Sequence, residues 1–198
     1  MPISPEIFRA YDIRGIVGSE LNPEDVYQIA RALAAVALAK NQRQIIIARD
    51  ARESSPELSQ PLKKGLLESG CDVIDIGVVP TPLLYFATHQ LATQSGVMIT
   101  GSHNPAAYNG LKMVIAGQTL AAEEIQALYQ TVIKGNFPAA VTAGKYQTLN
   151  ILGRYVDTIV GELRLQRPLK IVVDAGNGVA GNLAPLLYQK LGAKVIPL

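Results

Sequence analysis

One hydroxyl group in this sequence has neighbours that could support phosphate chemistry. Ser102 follows a short apolar run, residues 97–99, that predicts a buried strand. Gly101 can adopt backbone angles closed to other residues, and the Asn104-Pro105 step favours a turn, so the loop should present Ser102 to solvent rather than pack it. A hydroxyl displayed at the end of a strand is a candidate nucleophile.

His103 and Lys112 add a titratable ring and a cation near this serine. The ammonium group would favour a phosphate carried on Ser102. Taken alone, a Ser-His pair more often caps a turn beside a solvated imidazole. A serine hydrolase is disfavoured, because its nucleophile elbow needs glycines where this chain has Thr100 and Asn104.

The elements that must position these residues alternate along the chain. Helix starts are predicted where a capping residue precedes a proline, at Asn22-Pro23, Ser55-Pro56 and Thr81-Pro82. Apolar runs between the helices predict strands at 45–48, 73–76 and 97–99. This alternation predicts an α/β fold, a three-layer α/β/α domain with a mixed, mainly parallel sheet and functional loops at the carboxyl ends of its strands.

Two units are predicted along the chain. The first, residues 1–149, continues with a strand at 111–115 and a helix at 121–133, and its last segment, 134–149, lacks periodicity and predicts a linker. The second, residues 150–198, predicts a helix at 151–165, a strand at 169–173, a helix at 183–191 and a strand from 194. Since one such unit is too small to complete a domain, we expect the chain to be truncated within its second domain.

The composition of the chain limits the classes of partner that it is expected to bind. A chain of 198 residues with 48% hydrophobic content can bury a substantial core, and a net charge of +2 implies neither nucleic acid nor a membrane surface as partner. The single cysteine, Cys71, predicts a packed thiol in a reducing compartment. No signal-like segment opens the chain, and its most apolar stretch is interrupted by Arg31, so we expect a cytoplasmic protein.

Two separated motifs then agree in order and spacing with one enzyme family. Residues 8–15, FRAYDIRG, and residues 100–112, TGSHNPAAYNGLK, resemble the α-D-phosphohexomutases, most closely the phosphomannomutase/phosphoglucomutase branch. The phosphoglucosamine mutase branch generally has a Thr-Asp-Gly motif where this chain has Ala10-Tyr11-Asp12, and it stays an alternative. The resemblance implies the fold of phosphoglucomutase domain I, followed by the start of a similar domain.

The resemblance also implies a reaction. Ser102 would exist as a phosphoserine that donates its phosphoryl group to the 6-hydroxyl of a hexose 1-phosphate. The bound hexose 1,6-bisphosphate would return its other phosphoryl group to the serine, leaving hexose 6-phosphate. An oxygen on Ser102 or its phosphate would ligate Mg²⁺, with the remaining ligands in a third domain. The partners implied are a phosphorylated hexose and domains II–IV of a parent chain, without which turnover is not expected.

The family pattern assigns roles to residues of this chain. Arg14 and Lys112 would neutralise phosphate charge, as a loose phosphoryl-transfer transition state requires. His103 would line the reacting centre, and either His103 or Lys112 could handle the hydroxyl proton. Ser102, His103, Lys112 and Arg14 are thus the expected catalytic residues. Substrate and phosphate binding is assigned to Tyr11, Arg14, Asn104, Asn109 and Lys112.

Two further clusters leave alternatives open. Arg49, Asp50 and Arg52 could line a phosphate cleft or form an ion-pair cluster, which is the preferred interpretation. The segment Gly176-Asn177-Gly178-Val179-Ala180-Gly181 fits the G-x-G-x-x-G pattern of a dinucleotide-binding module. Because the mutase family carries a similar glycine-rich turn, tight strand-to-helix packing is the better account. A non-catalytic structural domain is the third alternative.

Overall fold

The computed structural model describes residues 3–135, 137 and 140–198. Its strands are β1 (Ile13–Ile16), β2 (Gln44–Arg49), β3 (Asp72–Val78), β4 (Gly96–Ile99), β5 (Tyr108–Ile115), β6 (Gln118–Thr119), β7 (Tyr146–Thr148), β8 (Lys170–Val173) and β9 (Lys194–Pro197). Its helices are α1 (Pro23–Ala39), α2 (Ser55–Glu68), α3 (Thr81–Gln90), α4 (Glu123–Lys134), α5 (Leu152–Glu162) and α6 (Ala184–Lys190).

The central sheet is mixed and has helices on both faces. Its strand order is β1-β5-β4-β2-β3-β7, with β6 paired to β5. The β2/β3, β2/β4 and β3/β7 pairs are parallel, whereas β5 runs antiparallel to β1, β4 and β6. The three-layer α/β prediction is confirmed.

Strand β2 shows how the sequence builds two cores from one sheet. Ile45 and Ile47 belong to the core under α1, α2 and α4, while Ile46 and Ala48 belong to the core under α3 and α5. Alternate side chains of a strand point to opposite faces, so a continuously apolar strand must be covered on both sides.

The helix starts differ in detail from the sequence pattern. Helix α1 begins at Pro23 after Asn22, as predicted, and the Asn22 amide donates to the Asp25 carboxylate at 2.9 Å. Helix α2 already includes Ser55, whose hydroxyl donates instead to Asp50 Oδ1 at 2.6 Å. Helix α3 likewise includes Thr81 and follows Pro80. Two of the three caps therefore lie one residue earlier than expected.

Three strands of the sheet, β1, β6 and β7, were not predicted, and β6 has only two residues. Strand β1 is short, and β7 lies in the segment interpreted as a linker, 134–149, where its three residues are all exposed. An exposed edge strand carries no apolar alternation, which is why no pattern signalled it. Residues 136, 138 and 139 of that segment lie outside the described residues.

The remaining elements form a small layer beside α3. Strands β8 and β9 make a separate parallel pair. Ile151, Val156 and Leu183 are buried in the same core as α3, and the rings of Phe86 and Tyr155 meet edge to face with centroids 5.0 Å apart. This second layer thus packs directly on the first unit.

Two expectations drawn from the composition concern the single cysteine and membrane-spanning segments. Cys71 is fully buried, which confirms the predicted packed thiol, and this burial raises the pKa of the thiol to about 11. Across the described residues, no helix combines the length and the hydropathy that crossing a bilayer demands.

Candidate functional site

The serine loop connects β4 to β5 and is held by its own hydrogen bonds. The Ser102 amide donates to Thr100 Oγ1 at 3.0 Å. The Asn104 amide and its side-chain Nδ2 both donate to the Gly101 carbonyl, at 3.0 Å and 2.9 Å. These bonds close a tight turn around Ser102, which is half-buried at the end of β4.

The backbone conformation of the loop corrects one expectation. Ser102 itself adopts the left-handed region, with a φ of 52°, whereas Gly101 does not have a positive φ. Gly101 is required for space instead, because a Cβ there would collide with the Arg52 guanidinium and the Tyr108 carbonyl. A non-glycine residue at positive φ is uncommon, although six others among the described residues share this conformation.

Two cations reach the loop from adjacent antiparallel strands. Arg14 lies on β1 opposite Gly110 of β5, and Lys112 lies two residues further along β5. Both pair with the buried carboxylate of Asp12, Arg14 Nη2 at 2.8 Å and Lys112 Nζ at 3.5 Å. Arg14 Nη1 also donates to Asn104 Oδ1 at 3.1 Å, so it contacts both the carboxylate and the serine loop.

Asp12, part of the FRAYDIRG motif, was not among the site residues assigned from the sequence. The structure makes it the shared counter-ion of two cations that are each 27% exposed. One negative charge balances one of the two positive charges, and the net charge of the cluster is positive. An anion in the cleft would therefore be attracted to this cluster.

Both alternatives considered for the Arg49, Asp50 and Arg52 cluster apply in part, because Asp50 and Arg52 form an ion pair and also line the site's cleft, whereas Arg49 does neither among the described residues. Arg52 Nε lies 3.4 Å from Asp50 Oδ2. Its Nη atoms donate to four carbonyl oxygens of the serine loop: Pro105 at 2.7 Å, Tyr108 at 3.0 Å, Ser102 at 3.1 Å and Asn104 at 2.7 Å. Asp50 in turn accepts from the Gly101 amide at 3.2 Å. The pair braces the loop.

A cleft of 1210 Å³ opens in front of the loop. It is lined by Arg14, Ser102, His103, Asn104 and Lys112, which the structure therefore brings together. His103 is exposed at the cleft mouth. All five side chains are polar and two of them, Arg14 and Lys112, are cationic, so the cleft could bind an anionic small molecule.

The glycine-rich segment contributes to the same cleft. Residues 176–179 line it, and Gly176 and Asn177 both have positive φ, 53° and 60°. A Cβ at Gly181 would make only ordinary contact, so tight packing is not the reason for this glycine. The segment leads into a three-residue 3₁₀ helix, Val179–Gly181, where a dinucleotide-binding fold has a long helix.

Tyr11 and Asn109 lie outside the cleft lining. The Tyr11 side chain is 74% exposed on the surface. Asn109 is fully buried and donates to the hydroxyls of Ser54 and Ser55, at 2.9 Å and 3.0 Å. Asn109 thus ties β5 to the start of α2, beneath the serine loop.

The residues present do not by themselves form a magnesium site. Ser102 offers one oxygen, and the part of the chain that the structure describes holds no group of three or more His, Cys, Asp or Glu residues suited to a metal ion. Both oxygens of Asp50 already accept hydrogen bonds, from Ser55 and Gly101. Octahedral Mg²⁺ needs more oxygen ligands than this.

Comparisons with known proteins place this fold and site. The family described as phosphoglucomutase/phosphomannomutase, alpha/beta/alpha domain I, matches residues 5–139. A phosphoglucomutase/phosphomannomutase family protein of Burkholderia thailandensis has a similar structure, with a TM-score of 0.93 and 41% identity over 99% of this chain and 44% of that one.

Curated proteins with similar sequences are named as mutases of the same kind. The phosphomannomutase/phosphoglucomutase of Pseudomonas putida is 53% identical over 97% of this chain and 41% of the relative. The phosphoglucomutase of Neisseria meningitidis serogroup B is 48% identical over 99% of this chain and 43% of the relative. The chain thus spans less than half the length of these relatives.

The mixed α/β/α architecture of this chain matches the domain I described for the phosphoglucomutase/phosphomannomutase family. The chain belongs to the phosphoglucomutase/phosphomannomutase family.

Proposed function

We propose that this chain supplies the phosphoserine domain of a mutase that interconverts hexose 1-phosphates and hexose 6-phosphates. The observation that carries the proposal is the convergence of a displayed serine, at a φ of 52°, with Arg14 and Lys112 in one cleft. Phosphoryl transfer needs little covalent chemistry from the protein beyond positioning and positive charge. The site offers both.

The proposed step is a transfer between two oxygens. The bond from phosphorus to Ser102 Oγ breaks as a bond forms from phosphorus to the 6-oxygen of the hexose 1-phosphate. The proton of the sugar hydroxyl passes to a base at the cleft, for which His103 and Lys112 remain the two candidates. The bound 1,6-bisphosphate then gives up its other phosphoryl group: the bond from phosphorus to the 1-oxygen breaks as a bond to Ser102 Oγ forms, the 1-oxygen takes up the proton from the base, and hexose 6-phosphate is left.

The cations act on the charge that moves. Arg14 and Lys112 would face the phosphoryl oxygens from one side of the loop, since both reach it from β1 and β5. Such preorganised positive groups stabilise developing charge in a cleft more than they do in water. Asn104 would orient Arg14 through the bond between them.

The domain division belongs to the same proposal. Residues 1–149 would form the phosphoserine domain and residues 150–198 the start of a second. Mg²⁺ would need ligands beyond Ser102 from outside this chain, so none of the steps above is assigned to the metal. Turnover by the 198 residues alone is not expected.

The proposal is tested by measuring mutase activity in the complete protein that contains this chain, with glucose 1-phosphate and mannose 1-phosphate as substrates. Ser102→Ala should lower turnover at least about 10³-fold, because it removes the group that carries the phosphoryl. Ser19→Ala removes an exposed hydroxyl from a surface turn and is the matched control. Undiminished turnover in Ser102→Ala would overturn the proposal.

Intact mass gives an independent readout. The wild-type protein should carry one phosphoryl group that Ser102→Ala lacks and Ser19→Ala retains. A phosphoryl group that persists in Ser102→Ala would place the acceptor elsewhere.

A further inference from the structure

Arg52 lies in a cleft proposed to bind phosphate, but its hydrogen-bond donors contact the protein itself. It lines the cleft and carries a full positive charge. A guanidinium group has five N–H donors in a fixed plane. Four of its donor contacts go to backbone carbonyls of the serine loop, and the Nε faces Asp50. The charge is at the site, but its hydrogen-bonding capacity is committed to the loop.

We infer that Arg52 is a positioning residue that fixes Ser102 for phosphoryl transfer and does not bind the substrate phosphate; this rests on the function proposed above. Arg52 lies in the connection between β2 and α2, and the carbonyls it holds belong to residues 102, 104, 105 and 108. One side chain thus binds both sides of the turn that carries Ser102.

The left-handed backbone of Ser102 explains why the loop needs the contacts that Arg52 makes. A residue at positive φ persists only when its surroundings over-determine the conformation. The Ser102 carbonyl is itself bound by Arg52, and the Gly101 amide next to it is bound by Asp50. Gly101 lacks a Cβ because the guanidinium fills that space. The loop sequence and Arg52 therefore fit each other.

Charge alone does not account for this arrangement. A lysine has three donors on one nitrogen and cannot span four separated carbonyls, so Arg52→Lys keeps the charge and loses the brace. Arg49 is the last residue of β2. Among residues 3–135, 137 and 140–198, its side chain makes no hydrogen bond or ion pair, and it does not line the cleft. Arg49→Ala is therefore the control for loss of a nearby cation.

The experiment compares Arg52→Ala, Arg52→Lys and Arg49→Ala in the complete protein. Both Arg52 variants should lower kcat roughly 10²-fold with KM changed less than about threefold, since a misplacement near 1 Å is that costly. Arg49→Ala should keep wild-type kinetics. Millimolar guanidinium chloride should partly restore kcat in Arg52→Ala, and ammonium chloride should not.

Hydrogen exchange gives the matching structural readout. Amides of residues 100–108 should exchange faster in Arg52→Ala, while those of residues 45–49 stay protected. A rise in KM at unchanged kcat would show a substrate contact and overturn the inference, as would wild-type kcat in both Arg52 variants. Inactive wild-type protein, or full activity in Ser102→Ala, would instead overturn the proposed function.

Discussion

At the residue scale, the site is built from charges that restrain one another. Asp12 holds Arg14 and Lys112 together, and its side chain is only 6% exposed. A buried carboxylate costs free energy unless it is paired, and removing one member of such a cluster leaves the others uncompensated. Asp12 therefore fixes the positions of the two cations and neutralises part of the positive charge of the cluster.

Asp12→Asn should therefore destabilise the protein and spread the two cations. We expect the free energy of unfolding to fall by about 3 kcal/mol, measured by urea denaturation. Asp157→Asn breaks the exposed pair with Lys190 and should cost less than about 1 kcal/mol. Equal losses in the two variants would contradict a special role for Asp12.

The sequence predicts the chemistry-bearing residues better than their supports. Ser102 and Lys112 could be located because a loop motif and a strand end place them. Arg52 could not be assigned, because its partners are backbone carbonyls some fifty positions away, as in its bond to Ser102, and carbonyls leave no trace in residue type. Asp12 directly precedes β1, a strand that was not predicted, so its contact with Lys112 one hundred positions away carried no sequence signal.

At the element scale, β1 and β5 matter most because they carry Arg14 and Lys112. The two strands approach closely at Gly110, which lies opposite Arg14. A Cβ at Gly110 would collide with the Ile13 carbonyl. Close strand contact thus sets where Arg14 sits.

Gly110→Ala should push β1 away from β5. We expect a loss of about 2–3 kcal/mol in the free energy of unfolding, from overpacking of the strand pair, and weaker mutase activity in the complete protein. Gly153, exposed on α5 with open space around it, gives the control, and Gly153→Ala should match or slightly exceed wild-type stability. Thermal and urea unfolding would measure both, and wild-type stability in Gly110→Ala would contradict the strand-contact argument.

Elements were predictable where burial imposes a pattern. Strand β4 is buried at all four positions, and helices α1 and α4 repeat their apolar residues at helical spacing. Strand β7 is exposed throughout and joins the sheet by backbone hydrogen bonds, which any sequence can make. Pairing of that kind cannot be inferred from residue types.

At the scale of the whole molecule, two layers share one core. Val156 of α5 is 1% exposed and packs in the same cluster as Leu84 of α3. Since residues 176–179 line the cleft with Ser102, this packing also brings the glycine-rich segment to the serine loop.

Val156→Asp should separate the layers, because it places an unpaired charge in that core. Amides of α5 and α6 should lose protection from hydrogen exchange while those of β2 and β4 keep it. Val172→Asp, at a side chain 57% exposed on β8, should leave both protected. Equal loss of protection in β2 and α5 of the Val156 variant would mean that the chain unfolds as one unit.

The left-handed backbone at residue 102 restricts which alcohol can occupy the position. Threonine offers the same hydroxyl chemistry, yet a β-branched side chain is strongly disfavoured at such angles. Serine has no branch and tolerates the twist at lower cost. Local backbone geometry therefore favours serine over threonine at this position.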